Sequence, residues 1–130
     1  MFQIPTFFPI ANVLMIPRFE LLFMLLVGHA LADMAWQPEA MAKGKNRHFK
    51  PEYIPKGQKF VPCWPYWLTA HSLINGGLVF LITGNIGFGV WETVVHWITD
   101  YTKCSDKGIL NPHSDQAIHI VCKLLYWHFA

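Results

Sequence analysis

Charge is what this chain has least of. Asp, Glu, Lys and Arg together make up 14% of its 130 residues, where an ordinary soluble domain carries about 25%. Cysteine is nearly absent: Cys63, Cys104 and Cys122 form no CxxC pair, and their odd count excludes a complete disulfide framework, so all three read as small buried hydrophobes. Residues 1–18 contain no early basic residue but carry Pro5, Pro9 and Pro17, which excludes a good signal peptide and suits an interfacial or re-entrant lead-in. No stretch reaches 20 residues without a polar interruption, and the mean hydropathy of +0.28 is below that of a chain wholly immersed in lipid. A buried soluble core is therefore left open beside a lipid setting. Repeats and low-complexity tracts are lacking too.

Apolar side chains are what is abundant, at 53%, and with so little charge they point towards a membrane. At 130 residues the chain is a single domain, long enough for a four-helix bundle and too short for a second core. The run Phe19 to Trp36 spans 18 residues, about 27 Å of helix, marginal for a hydrocarbon core of about 30 Å. Residues 43–65 are the opposite, a basic loop with Lys43, Lys45, Arg47, Lys50, Lys56 and Lys59, in which Pro51, Pro55, Pro62 and Pro65 break any helix. Tyr66 to Thr83 is a second helix, with Trp64, Tyr66 and Trp67 suited to a headgroup interface. Gly84-Asn85 turns into a third helix from about Ile86 to Thr102, and after a polar turn from Lys103 to Pro112, Ser114 or Asp115 can cap a fourth ending near His128. The expected fold is all-α, an integral membrane four-helix bundle with an apolar N-terminal lead-in.

Eight of the ten Lys and Arg residues fall in the first-to-second and third-to-fourth connections, which the positive-inside rule places in the cytoplasm with both termini opposite. The basic loop also suits anionic lipid headgroups. Its interleaved His48, Phe49, Tyr53 and Phe60 would fit nucleic acid, but the prolines and adjoining apolar helices argue against that partner.

Three of the four aspartates lie four residues from a histidine: His29/Asp33, His96/Asp100 and Asp115/His119. Chance gives a given Asp such a partner roughly one time in nine, and the spacing puts both groups on one helical face. All three pairs sit in apolar segments, where an ionisable group needs a partner or a metal. With His71 on the second helix, antiparallel alternation brings all seven residues to the cytoplasmic end.

Imidazole and carboxylate together suit Zn, Mn, Fe or Ni, and His29, Asp33, His71, His96, Asp100, Asp115 and His119 suffice for one or two ions. The reaction class that follows is metal-assisted hydrolysis of an ester, amide or phosphoester with an apolar portion, with Glu92 or a non-ligating aspartate such as Asp115 as general base. Gln37, Asn75 and Gln116 suit supporting roles, and His48, His113 and His128 read as solvated residues of loops or the tail. Taken singly, each His/Asp pair reads equally as an interhelical hydrogen bond. A non-catalytic membrane protein with a structural or proton-conducting network is thus the rival, and a partner-binding subunit modifying a host membrane complex a third reading.

The segments GHALADMAWQPEAMAKGKN, AHSLINGG, HWITDYTK and DQAIHI resemble the DUF3307 family of small bacterial and phage membrane proteins, a domain of unknown function. The resemblance runs from Leu22 to Leu125 and matches His29, Asp33, Gln37, Lys43, Asn46, His71, His96, Asp100, Lys103, Asp115, Gln116 and His119. It implies a multi-pass protein of a bacterial inner membrane, leaves self-association open, and carries no activity with it.

Overall fold

The structure, a computed structural model, describes residues 17–104 and 110–130. Apart from Pro17 and Arg18, the expected lead-in lies outside the described residues. The described residues contain five helices and no strand. The fold is all-α.

Pro17 opens α1 (Arg18–Ala30), which runs directly into a wider turn at Leu31–Ala35, closed by Trp36 N donating to Leu31 O at 2.7 Å. Such an i-to-i+5 turn adds one residue to the coil and re-aims the side chains after it. Pro38 then starts a short helix α2 (Glu39–Gly44), overlapping the start of the stretch read as a loop. From Lys45 to Cys63 there is no helix, as the prolines require. Helix α3 (Trp64–Thr83) begins two residues before the expected start. Pro65 lies in its first turn, where a missing N–H is no loss, so it initiates the helix and does not break it.

Gly84, with φ 69°, ends α3 in the left-handed conformation that glycine adopts without strain. Asn85 caps α4 (Ile86–Lys103), its side-chain oxygen accepting from Gly87 N at 2.8 Å and Phe88 N at 3.3 Å. Asn111, not Ser114 or Asp115, caps α5 (Pro112–Phe129), because Pro112 can occupy the first turn and moves the start forward.

The four longer helices form an antiparallel ring. Thr69 meets Trp97 while Gly76 meets Gly89, Thr99 meets His119 while Glu92 meets Tyr126, and His29 meets Gln116 while Arg18 meets Trp127. Helices α3 and α4 cross in backbone contact: a Cβ on Gly76 would overlap Thr93 and the Gly89 carbonyl, and one on Gly89 would stand 2.9 Å from the Gly76 carbonyl. Close crossing of small residues is the packing that van der Waals contact favours between helices in lipid.

Burial is inverted relative to a water-soluble domain. Among the described residues thirteen buried side chains are polar or charged and seven are hydrophobic, whereas Phe19, Phe23, Leu73, Ile86 and Trp91 are exposed. The apolar cluster is small, Leu25, Val79, Cys122 and Tyr126, and closes the bundle at the end remote from the basic loop. Against the expectation of four spans, no described helix is long and apolar enough to cross a membrane. In α3, with 20 residues or about 30 Å, it is apolarity that falls short: His71, Ser72 and Asn75 lie on its buried face. The cysteines also differ from expectation, since Cys63 is exposed and Cys104 half-buried, and only Cys122 is buried.

Candidate metal centre

The seven residues that share a depth in the sequence pattern meet inside the bundle. Asp33 comes from the wide turn after α1, His71 from α3, His96 and Asp100 from α4, and Asp115 and His119 from α5, each at most 6% exposed. His71 Nε2 stands 3.1 Å from Asp33 Oδ1, 3.1 Å from His96 Nε2 and 3.4 Å from Asp100 Oδ2. His96 Nε2 is 3.4 Å from Asp33 Oδ1 and 3.8 Å from Asp100 Oδ2. Two imidazole nitrogens and two carboxylates from different elements thus face one point.

His29 joins from the side. Its Nε2 lies 3.0 Å from Gln116 Oε1, while Gln116 Nε2 donates to Asp33 Oδ2 at 2.5 Å, so Gln116 ties together the two residues whose four-residue spacing suggested a direct pair. His119 stacks on His96 with ring centroids 4.1 Å apart, and its Nε2 is 3.3 Å from Asp115 Oδ1. Donor atoms of three triads lie within 4.8 Å of one another: Asp33/His71/His96, Glu92/His96/His119 and Asp100/Asp115/His119.

Lysines separate these triads. Lys45 donates to Asp100 Oδ2 at 2.6 Å and to Gln37 Oε1 at 2.5 Å. Lys103 bridges Asp115 Oδ2 at 2.6 Å and Asp100 Oδ1 at 3.0 Å. Lys123, 1% exposed, donates to Glu92 Oε1 at 2.5 Å, and Tyr126 donates to Glu92 Oε2 at 2.9 Å. Three of the four buried carboxylates therefore have an ammonium in contact. Among the described residues, Asp33 has only imidazoles and an amide in contact.

These lysines were missed as interior groups. Lys123 continues the Asp115/His119 face by one turn and Lys103 lies three residues from Asp100, so both were within reach of spacing arguments. Lys45 was not, because it belongs to a basic stretch and is brought inside by its neighbours: Arg47 donates to Tyr101 O at 2.6 Å and covers that ring at 3.9 Å, pinning the segment onto α4. Glu92 is held by Lys123 and Tyr126 and stands 3.6 Å from His96 Nδ1. Asn75 donates to the His71 carbonyl one turn below the cluster. His48, His113 and His128 are exposed, although the last two belong to α5.

The family model described as protein of unknown function (DUF3307) matches residues 21–130. The chain belongs to that family. No curated protein and no solved structure matches it.

Proposed function

We propose that this member of the DUF3307 family is a membrane-embedded hydrolase dependent on a divalent metal, with Asp33, His71 and His96 as ligands and Asp100 beside them. The observation that carries the reading is the spacing of the donors. Five separations among these four side chains run from 3.1 to 3.8 Å, and ligands 2.0–2.1 Å from a tetrahedral ion stand about 3.3–3.4 Å apart. A hydrogen-bond network explains this less well, because His71 Nε2 carries at most one proton yet faces two carboxylate oxygens and an imidazole nitrogen that could each accept it. The lone carboxylate without an ammonium is also a member of this set.

An ion held there would acidify a bound water and polarise a phosphoryl or carbonyl oxygen. Hydrolysis joins the water oxygen to phosphorus or carbon and breaks the ester bond, with the proton passing to the leaving group. Asp115, whose Oδ1 makes no hydrogen bond and stands 3.3 Å from His119 Nε2, is the carboxylate to which this reading gives that proton. Glu92, fully engaged by Lys123 and Tyr126, serves instead to orient His96. Lys45 and Lys103 set positive charge beside the place where negative charge would develop.

The polar interior and apolar exterior support the membrane setting, and the basic loop beside the cluster supports a cytoplasmic position for that end. The rival reading, a proton path, is disfavoured by the closed end of the bundle. The polar column descends from Asp115 through His119 and His96 to Glu92 and Lys123, and there meets Leu25, Val79, Cys122 and Tyr126. Elemental analysis of protein purified without chelator or affinity histidines tests the proposal. One ion per chain is expected. Absence of stoichiometric metal, together with melting unchanged by chelator, would replace it with a structural network.

A further inference from the structure

The segment rich in lysine also builds a cleft. Residues of α2, the extended stretch and the start of α3 enclose about 350 Å³, within the range of small-molecule sites. Phe49 and Phe60 meet edge to face with centroids 6.5 Å apart. Trp64, packed 5.7 Å from the Tyr101 ring, and Trp67, pressed so closely on Gly44 that a Cβ there would stand 2.5 Å from the indole, form the opposite wall. Val61 lines the cleft yet is 70% exposed.

The cleft and the metal cluster share a wall. Trp67 lies one helical turn before His71 on α3, and Gly44 and Asn46, both lining the cleft, flank the Lys45 that bonds Asp100. Lys43 lines the cleft, its exposed ammonium 2.5 Å from Glu39 Oε1 in a surface pair worth little, and Lys50, Lys56 and Lys59 belong to the same stretch and form no ion pair among the described residues. Apolar aromatic walls with one lysine in the lining and three more in the same stretch, beside aromatics suited to the headgroup level, complement one ligand chemistry: a hydrocarbon chain joined to an anionic phosphate that displaces the Glu39 carboxylate from Lys43.

We propose that this cleft seats an anionic phospholipid, its chain against Val61 and Trp67 and its phosphate towards Lys43. That the seated phosphodiester is also what the neighbouring site cleaves rests on the metal reading. The seat itself does not.

The test uses the full chain in neutral detergent micelles, titrated with chain-brominated phosphatidylglycerol or chain-brominated phosphatidylcholine while tryptophan fluorescence is followed. Quenching is expected at a lower mole fraction of the anionic lipid, by about fivefold for each lysine engaged. Lys43→Glu should remove most of that preference. So should Val61→Glu, at an exposed position where folding is unaffected, checked by unchanged helix content. Equal quenching by the two lipids, or an undiminished preference in both variants, would overturn the seat. Chelator separates the two proposals: the preference should survive it. A preference found in protein that holds no metal keeps the seat and removes the substrate role, whereas metal without lipid preference keeps the metal reading and overturns the seat.

Discussion

Among the described residues Asp33 differs from Glu92, Asp100 and Asp115 in having no ammonium in contact, and a buried carboxylate so placed is costly unless a cation compensates it. Asp33→Ala removes a ligand and leaves His71 and His96 facing each other. Metal content should fall to near zero, and the variant's melting should no longer respond to chelator, which should lower that of the unmutated protein. A chelator response retained in Asp33→Ala would show that the ion sits elsewhere. Lys103 offers the converse test, because its ammonium lies between Asp115 and Asp100, at 2.6 and 3.0 Å, where a second ion would sit against His119. Replacing it with Met leaves two carboxylates uncompensated. Metal per chain should rise above that of the unmutated protein in elemental analysis, and an unchanged ratio would limit Lys103 to a structural ion pair. At this scale the sequence was informative wherever partners share a helix: His96/Asp100 and Asp115/His119 follow from a spacing of four. It was silent on Gln116 bridging His29 to Asp33 and on Lys45 reaching Asp100, contacts between residues 87 and 55 positions apart.

The elements hold those groups at fixed separations, and the crossing of α3 and α4 matters most, because His71 and His96 sit on either side of it. Gly76→Ala would drive a methyl group into Thr93 and the Gly89 carbonyl. Overpacking of this kind costs about 1–3 kcal/mol, so a lower melting temperature and weaker metal retention are expected together. Gly77 provides the control, since a Cβ there meets nothing within 4 Å. Gly77→Ala should leave both properties unchanged, and equal losses in the two variants would point to helix flexibility rather than the crossing. Four of the five helices were foreseen from apolar runs, and the differences in their limits trace to proline. Pro65 and Pro112 were treated as breakers or turn residues, but each occupies a first turn and begins a helix. Helix α2 lacked an apolar run long enough to announce it. The wide turn at Leu31–Ala35 left no local mark, and its value lies in contacts with α3 and α5 that only the assembled bundle supplies.

For the whole molecule, the inversion of burial and the distribution of basic residues make the same demand on orientation. An apolar surface carrying Phe19, Phe23 and Trp91 favours lipid, and a loop with six basic residues between 43 and 59 resists translocation. On the proposed membrane reading they would put the cluster and its cleft at the cytoplasmic boundary and the C-terminus on the far side. The native thiols allow this to be tested with little engineering. Cys63 is exposed in the basic loop, Cys122 is buried, and burial pushes the Cys104 thiol up, so that less of it is reactive thiolate at neutral pH. In intact bacterial cells an impermeant maleimide should label Ala130→Cys in a Cys63→Ser background, and should label Cys63 of the unmutated protein only after permeabilisation. Equal labelling of the two positions in intact cells would reject this topology, and with it the argument that a cytoplasmic lipid phosphate is what the cleft and the neighbouring site meet.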